Sequence, residues 1–338
     1  MSRRQSILLA HGGGGRLTRE LVEGTFLPAF RNPALAALSD SAVLDSLPPG
    51  RPALTTDAFV VDPLEFPGGD LGALAVCGTV NDLAVAGAVP LALTFAVILE
   101  EGLDSALLDR LVASAAAAAS AAGIQIVAGD TKVVPRGKGD RVYAVTAGLG
   151  VVPPGRELGD QHIARGDVVV VSGGIAEHGA TIVACRHGLA GDLHSDAAPI
   201  SQLVEALLAS GVEVHAMHDP TRGGVATVCY EVACRSAKRI VIDEARVPVE
   251  PAVVAVCELL GLDPLYVASE GRFVAWIAAA DAQRALAVLR GHPLGAGCAV
   301  IGHVEEDTAG LAPVVLRSRY GVDRPLDLLA GSEVPRIC

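Results

Sequence analysis

Leu111 to Gly129 reads LVASAAAAASAAGIQIVAG, and the fold of the chain turns on how that run is divided. Taken whole, it is uncharged and about as long as a bilayer span. Divided at Gly123, it becomes the end of a helix running from about Leu103 to Ala122, followed by a buried strand from Ile124 to Ala128. Composition favours the division. Ala and Ser dominate the run, Gly123 and Gln125 interrupt it, and alanine gains little on transfer to lipid. Asp104 suits a helix start, where a carboxylate meets unpaired N–H groups. A helix–strand unit is expected here, not a membrane span.

The same alternation spreads outward in both directions. Ala53 to Val61, Leu91 to Leu99 and Val142 to Leu149 read as strands. Val151-Val152-Pro153-Pro154-Gly155 then reads as a linker, because paired prolines and a glycine end regular structure. Beyond it, Asp167 to Val171 is a strand closed by Ser172-Gly173-Gly174. Helices are expected at Gln202 to Ala209, Val225 to Ala233, Ala252 to Leu260 and Ala282 to Leu289. Arg272 to Ala279 and Cys298 to Val304 complete the strands. The expected class is α/β (α+β), in two halves that each carry a sheet covered by helices. No short repeat is visible.

Composition narrows the function. The 338 residues suffice for two domains, and 51% of them are apolar. A formal net charge of -12 disfavours nucleic acid or an anionic membrane as partner. Nucleotide phosphates remain possible where backbone donors and metal ions handle the charge. Seven cysteines, widely spaced and without CxxC, fit neither a disulfide framework nor a zinc knuckle. Cys229 and Cys234 stand five apart on one helix and so point to different faces. The start Met1-Ser2-Arg3-Arg4-Gln5 is no signal peptide, and a cytoplasmic location is expected.

Four groups of residues carry chemistry. His11-Gly12-Gly13-Gly14-Gly15 follows a short apolar stretch, and successive glycines suit a backbone that must approach an anion closely. It is not a Walker A loop, since GxxxxGK[ST] occurs nowhere. Asp40, Asp57, Asp82 and Asp130 sit at expected strand or loop ends, in Ser39-Asp40-Ser41, Thr55-Thr56-Asp57, Val80-Asn81-Asp82-Leu83 and Gly129-Asp130-Thr131-Lys132. Carboxylates beside apolar runs are costly to bury unless capped or paired with a cation, and Mg²⁺ with bound phosphates would provide one. His218-Asp219-Pro220-Thr221-Arg222-Gly223-Gly224 combines a turn, a helix start and a multi-donor cation, a pattern suited to a nucleotide anion. Glu270-Gly271-Arg272 places a carboxylate at the mouth of a sheet. Cys338, the last residue, could be carried into a pocket by a flexible tail, though a frayed end is the ordinary fate of a terminus.

Together these motifs resemble the HypE family of hydrogenase maturation factors, in the superfamily of aminoimidazole ribonucleotide synthetase and selenophosphate synthetase. The resemblance runs nearly end to end. It rests on His11 to Gly15, Thr55-Thr56-Asp57, Phe66-Pro67-Gly68-Gly69-Asp70, Cys77 to Leu83, Gly129 to Val134, Asp219 to Gly224 and Pro335-Arg336-Ile337-Cys338. The aspartate motifs mark the ATP-dependent superfamily; the Pro-Arg-Ile-Cys ending with Gly-Asp-Thr-Lys selects this member.

The resemblance implies a PurM-like fold. Residues 1–153 would bind ATP and form a homodimer whose sheets join in a β-barrel, 154–325 would form a second α/β domain, and 326–338 a mobile tail. It implies a partner, HypF, that carbamoylates Cys338, and ATP-dependent dehydration of that group to a thiocyanate. The nitrile then passes to iron on a HypC–HypD complex and becomes a cyanide ligand of a nickel–iron hydrogenase. Hydroxide leaves poorly, so the carbonyl oxygen must be phosphorylated first, which calls for ATP and Mg²⁺. Asp57, Asp82 and Asp130 match the metal positions. Gly12 to Gly15, Asp40, Asn81, Asp82, Thr131, Asp219, Thr221, Arg222, Gly223 and Gly224 match nucleotide contacts. Lys132 would stabilise developing charge, and Glu270 would take protons from the carbamoyl nitrogen. Two positions depart from the pattern: Glu177 replaces the usual Asp before His178-Gly179, and His218 the usual Arg before Asp219. His187, His194 and His215 read as surface or satisfied core residues. The alternatives are a selenophosphate or purine-pathway synthetase, an inactive thiol carrier, and a metal chaperone. The Pro-Arg-Ile-Cys ending, the intact aspartate motifs and the lack of a Cys/His cluster oppose them in turn.

Overall fold

The computed structural model describes residues 6–189, 191–307, 312–329, 331 and 336–338; Pro335 and the Met1–Gln5 start lie outside them. Three short helices open the chain, α1 (Arg16–Leu21), α2 (Leu27–Phe30) and α3 (Pro33–Ala36). Strand β1 (Arg51–Phe59), a two-residue hairpin β2 (Glu65–Phe66) and β3 (Gly69–Asp70), and helix α4 (Leu71–Val85) follow. Next come β4 (Val89–Glu100), α5 (Ser105–Ala122), β5 (Gln125–Val134) and β6 (Val142–Val152).

Helix α5 is the helix read from the opening run. Asp104 caps it, accepting from the Ala106 N–H at 3.0 Å, and Gly123 ends it in the left-handed conformation at φ 72°, which glycine adopts without strain. Its alanines have a packing reason. Leu108, Leu111, Val112, Ala115, Ala118 and Ala119 form one buried stripe, and α4 crosses so close that a Cβ on Gly72 would overlap the Leu111 carbonyl. Small residues on both helices permit that approach. No helix among the described residues is long and apolar enough to cross a membrane.

Among the described residues the first-half strands form an open four-stranded sheet in the order β1-β6-β4-β5, with β4 and β5 parallel across the α5 crossover. From Val142 to Gly150 strand β6 alternates between buried and half-buried residues, the period-two signature of a sheet covered on one face. α4 covers that face and is buried almost all round. The other face is left open, with Leu54 79% exposed.

The second half continues with β7 (Val168–Val171), α6 (Glu177–Arg186), α7 (Ser201–Ala209), β8 (Val214–His218), α8 (Gly224–Ser236) and β9 (Lys238–Asp243). It ends with α9 (Pro251–Leu260), β10 (Val274–Ile277), α10 (Ala282–Arg290), β11 (Ala299–Glu306), β12 (Val314–Arg317) and β13 (Asp323–Pro325). The described strands make a seven-stranded sheet ordered β13-β12-β9-β11-β7-β10-β8. Helices α6, α8 and α9 cover one face; α7, α10 and the end of α4 cover the other. Helix α4 thus lies between the two sheets, and its residues face both.

Three expectations change. Asp57 and Asp130 lie inside strands rather than at their ends, and Asp82 lies inside α4. The Gly129 to Val134 segment continues β5 because β4 pairs with it in parallel, from Phe95 against Gly129 to Glu100 against Val134. Cys229 is buried and Cys234 exposed, on opposite faces of α8 as read.

Candidate active site

Helix α4 supplies the floor of the site. Its Asp82 stands beside β1, where Thr55 Oγ1 donates to Asp82 Oδ2 at 2.7 Å. One turn earlier Thr79 pairs with Thr146 and donates to Asp57 Oδ2 at 3.4 Å. Asp219 arrives from the end of β8. Burial and the charge of Asp57 push Asp82 up to about 6. Burial, then Asp82, push Asp219 up to about 7. Three carboxylates therefore converge with too little positive charge among them.

Glu270 lies deeper, fully enclosed. Its backbone N–H donates to Asp196 Oδ1 at 3.0 Å, and its carbonyl accepts from Asn81 Nδ2 at 2.9 Å. Burial first, then Asp219 and Asp196, raise its carboxyl well above the usual range. Glu270 Oε1 and Asp196 Oδ2 are buried without a hydrogen-bond partner. A buried polar atom without a partner costs about 1–3 kcal/mol, a cost that a bound group donating to Glu270 Oε1 would offset.

The sequence leaves the resting place of the tail open; the structure puts its end into the cleft of its own chain. Ile337 is 4% exposed and belongs to the first-half core. Cys338 sits half-buried beyond it, its thiol close enough to the Glu270 carboxyl to feel its charge. Burial and Glu270 hold that thiol protonated, while the charge of Arg222 acts in the opposite sense. Cys77, on α4, is also pushed up, to about 12, by burial and then by Glu270.

The remaining site residues divide into those committed to the framework and those placed elsewhere. The Asn81 amide donates to the Ala198 and Glu270 carbonyls and accepts from the Ile200 N–H at 2.9 Å. It therefore clamps α4 to the Glu270 segment, with one lone pair of its oxygen left over. Gly223 and Gly224 both take positive φ at the α8 start, where a Cβ on Gly224 would stand 2.5 Å from the Leu265 carbonyl. They turn the chain just after Arg222, whose charge reaches Cys338 in the cleft.

Asp130 and Lys132 are not brought to this cluster. Lys132 Nζ grips Asp130 at 2.6 Å, both side chains over 60% exposed, and that ammonium lowers the Asp130 carboxyl. Register explains the separation. Asp130 is in line with Ala96, Val145 and Ala58 across the sheet, one residue out of step with Asp57, so it leaves the opposite face. Two strands intervene, putting the two groups about 14 Å apart along the sheet. The glycine loop lies with Lys132: a Cβ on Gly12 would stand 2.5 Å from the Val133 nitrogen. Asp40 and Thr131 line a cavity of about 280 Å³ on that same edge, with Phe26, Phe30 and Phe95.

The two departures from the sequence pattern are structural. Glu177 accepts from Arg272 at 2.8 Å and His218 pairs with Asp160 at 2.7 Å. Sequence reasoning passed over Asp196, which fixes Glu270, and over His178, Ser195 and Arg186, which touch the tail or its anchor. The His178-Gly179 pair, noted only for the residue before it, was the available signal.

Among the described residues no three His, Cys, Asp or Glu side chains could hold a metal ion by themselves. Mg²⁺ does not require that, because it commonly takes one or two carboxylates together with phosphate oxygens and water. The hard oxygens of Asp57, Asp82 and Asp219, with their excess negative charge, fit such a shared site.

The raised carboxyls set a pH dependence. Folded Asp219 keeps a proton between about pH 4 and 7 that the unfolded chain has released, so its contribution to stability is lost as pH rises through that window. Asp219→Asn should therefore melt higher than the parent at pH 8, by about 1–2 kcal/mol after allowance for solvent screening. The difference should vanish near pH 4, and nucleotide binding should be lost. Calorimetry at both pH values with added Mg²⁺·ATP checks all three.

Known proteins resemble this chain over nearly its whole length. The descriptions "AIR synthase related protein, N-terminal domain" and "AIR synthase related protein, C-terminal domain" match residues 38–152 and 164–312. Carbamoyl dehydratase HypE of Rhodobacter capsulatus is 48% identical over 341 residues, 99% of each chain. A crystal structure of hydrogenase maturation protein HypE in complex with ATP superposes with a TM-score of 0.93 at 44% identity, covering 98% of this chain and 99% of that one. A HypE–HypF complex superposes with a TM-score of 0.79 at 41% identity, covering 91% and 99%.

Proposed function

The chain belongs to the carbamoyl dehydratase HypE family of AIR synthase related proteins, and on that premise we propose how it works. It is an ATP-dependent carbamoyl dehydratase of hydrogenase maturation. It converts an S-carbamoyl group on its own Cys338 to a thiocyanate, the precursor of an iron-bound cyanide. The observation that carries this reading is the terminal thiol resting against a buried Glu270 beside three crowded aspartates.

Bound ATP with Mg²⁺ supplies the phosphoryl group that lets the carbonyl oxygen leave as phosphate. Asp57, Asp82 and Asp219 would hold the metal, whose charge offsets their own. Glu270 would take a proton from the carbamoyl nitrogen while the C–O bond breaks, its Oε1 being the buried acceptor with no protein partner. Arg222, whose field reaches Cys338, would stabilise negative charge on the oxygen.

The Asp130–Lys132 pair, on the opposite face, and the Gly12 to Gly15 loop beside it would form a second half-site at the far edge of the sheet. The uncovered face that carries Lys132 also carries Leu54 and Ile98, the apolar surface a dimer interface needs. We therefore propose a homodimer in which a second copy supplies Lys132 and the glycine loop to the Cys338 cluster. Residues 1–153 and 154–325 then provide its walls, and 326–338 the delivery arm. HypF would load the carbamoyl group and a HypC–HypD complex would receive the nitrile, both in the cytoplasm.

Incubation with HypF, carbamoyl phosphate and ATP should give an intact-mass carbamoyl adduct, followed by loss of water. A Cys338→Ala chain should gain neither; identical adducts on that chain would remove Cys338 as carrier.

A further inference from the structure

We propose that His178 is the positioning residue that fixes Cys338 at Glu270, acting through the backbone of the preceding residue. This rests on the functional reading above and names a residue to which that reading gives no role. His178 Nε2 lies 2.6 Å from the Ile337 carbonyl oxygen, and its Nδ1 lies 2.7 Å from Ser195 Oγ. A carbonyl oxygen only accepts, so Nε2 must carry the proton. Nδ1 is then left to accept from the Ser195 hydroxyl, whose oxygen accepts in turn from the Ala197 N–H at 3.1 Å. The chain of bonds has one direction, and the imidazole has one tautomer.

The imidazole is fully buried and stands edge-on to Phe66, ring centroids 5.4 Å apart, so it cannot swing aside. The bend it serves is costly by itself. Arg336 sits at φ 58°, a left-handed conformation that a non-glycine residue keeps only when its surroundings hold it there. Its carbonyl accepts from the Asp62 N–H at 3.2 Å and from the Arg186 guanidinium, and its side chain pairs with Asp140. Those contacts hold the surface end of the bend. His178 holds the inner end, one peptide from the reactive sulfur. Removing its donor leaves the Ile337 carbonyl buried without a partner, which favours the undocked tail.

The tail must also be released for loading and unloading, so a single directional bond suits the task better than a larger grip. His178→Ala should expose Cys338: alkylation of the C-terminal peptide by iodoacetamide, read by mass spectrometry well below the variant's melting temperature, should rise about 5- to 20-fold. Dehydration of the loaded chain should fall about 10-fold or more with KM for ATP unchanged, while carbamoylation should not slow. His178→Gln, whose amide N–H can reach the same carbonyl, should restore most of both. Ser195→Ala, which removes the hydroxyl that sets the tautomer and with it the acceptor of the Ala197 N–H, should raise alkylation about 2- to 5-fold and carries the test if His178→Ala does not fold.

An unchanged alkylation rate in the folded His178→Ala chain, or in Ser195→Ala in its place, overturns the proposal. Failure of His178→Gln to restore docking overturns it as well. The alkylation arm needs neither ATP nor a carbamoyl donor. Faster alkylation in a protein that performs no dehydration would sink the functional reading and leave the latch standing.

Discussion

A Glu270→Gln chain accepts the carbamoyl group on Cys338 and then stalls, with dehydration slowed about 10²–10⁴-fold, the range that a general base supplies. The substitution keeps the size of the side chain and removes a carboxyl that burial, Asp219 and Asp196 already push toward neutrality. The variant should therefore fold at least as stably as its parent, and the loss can be assigned to proton transfer. In the parent, dehydration should rise with pH, because the base must first lose the proton that its surroundings favour. Saturating Mg²⁺ should move that rise to lower pH by offsetting Asp219 and its neighbours. Mass spectra of the loaded chain across a pH series read both effects. Normal thiocyanate formation by Glu270→Gln would end the assignment of Glu270 as base.

Two inactive chains should make an active enzyme. Lys132→Ala keeps Cys338 and Glu270; Cys338→Ala keeps Lys132 and the glycine loop. If each site draws Lys132 from the partner, a mixed dimer has one intact site. Random exchange should return about a quarter of the parent's activity. If Lys132 serves its own chain, the mixture stays as inactive as its components. The large difference between those outcomes follows from sheet register: in one chain, Asp130 and Lys132 leave the face opposite to Asp57. Activity that appears on mixing, with native dimers confirmed by sedimentation, is the expected result.

Much of this architecture was readable beforehand. The Asp104 to Gly123 helix carried its own signals at both ends, and the strands of the first half stood out as apolar runs. The α4 helix was harder. It is buried almost all round, so it lacks the amphipathic period that marks a surface helix, and its Asn81-Asp82 pair looked like a strand end. The first-half sheet likewise hid the split between its two sets of functional residues. Asp57 and Asp130 are both aspartates in apolar strands, and nothing local says that pairing through β6 and β4 sends them to opposite faces.

The sequence alone determined the family, the thiol proposed as carrier, and the carboxylates and glycines available to it. Those are properties of residue type and spacing along the chain. The tertiary structure decided which of them meet: Asp219 with Asp57 and Asp82, Glu270 with Cys338, Asn81 with the framework, and His178 with the tail. These contacts join residues far apart in the chain, such as His178 and Ile337. They depend on how α4 packs between two sheets and on which face each strand turns to it, neither of which is written in any local pattern.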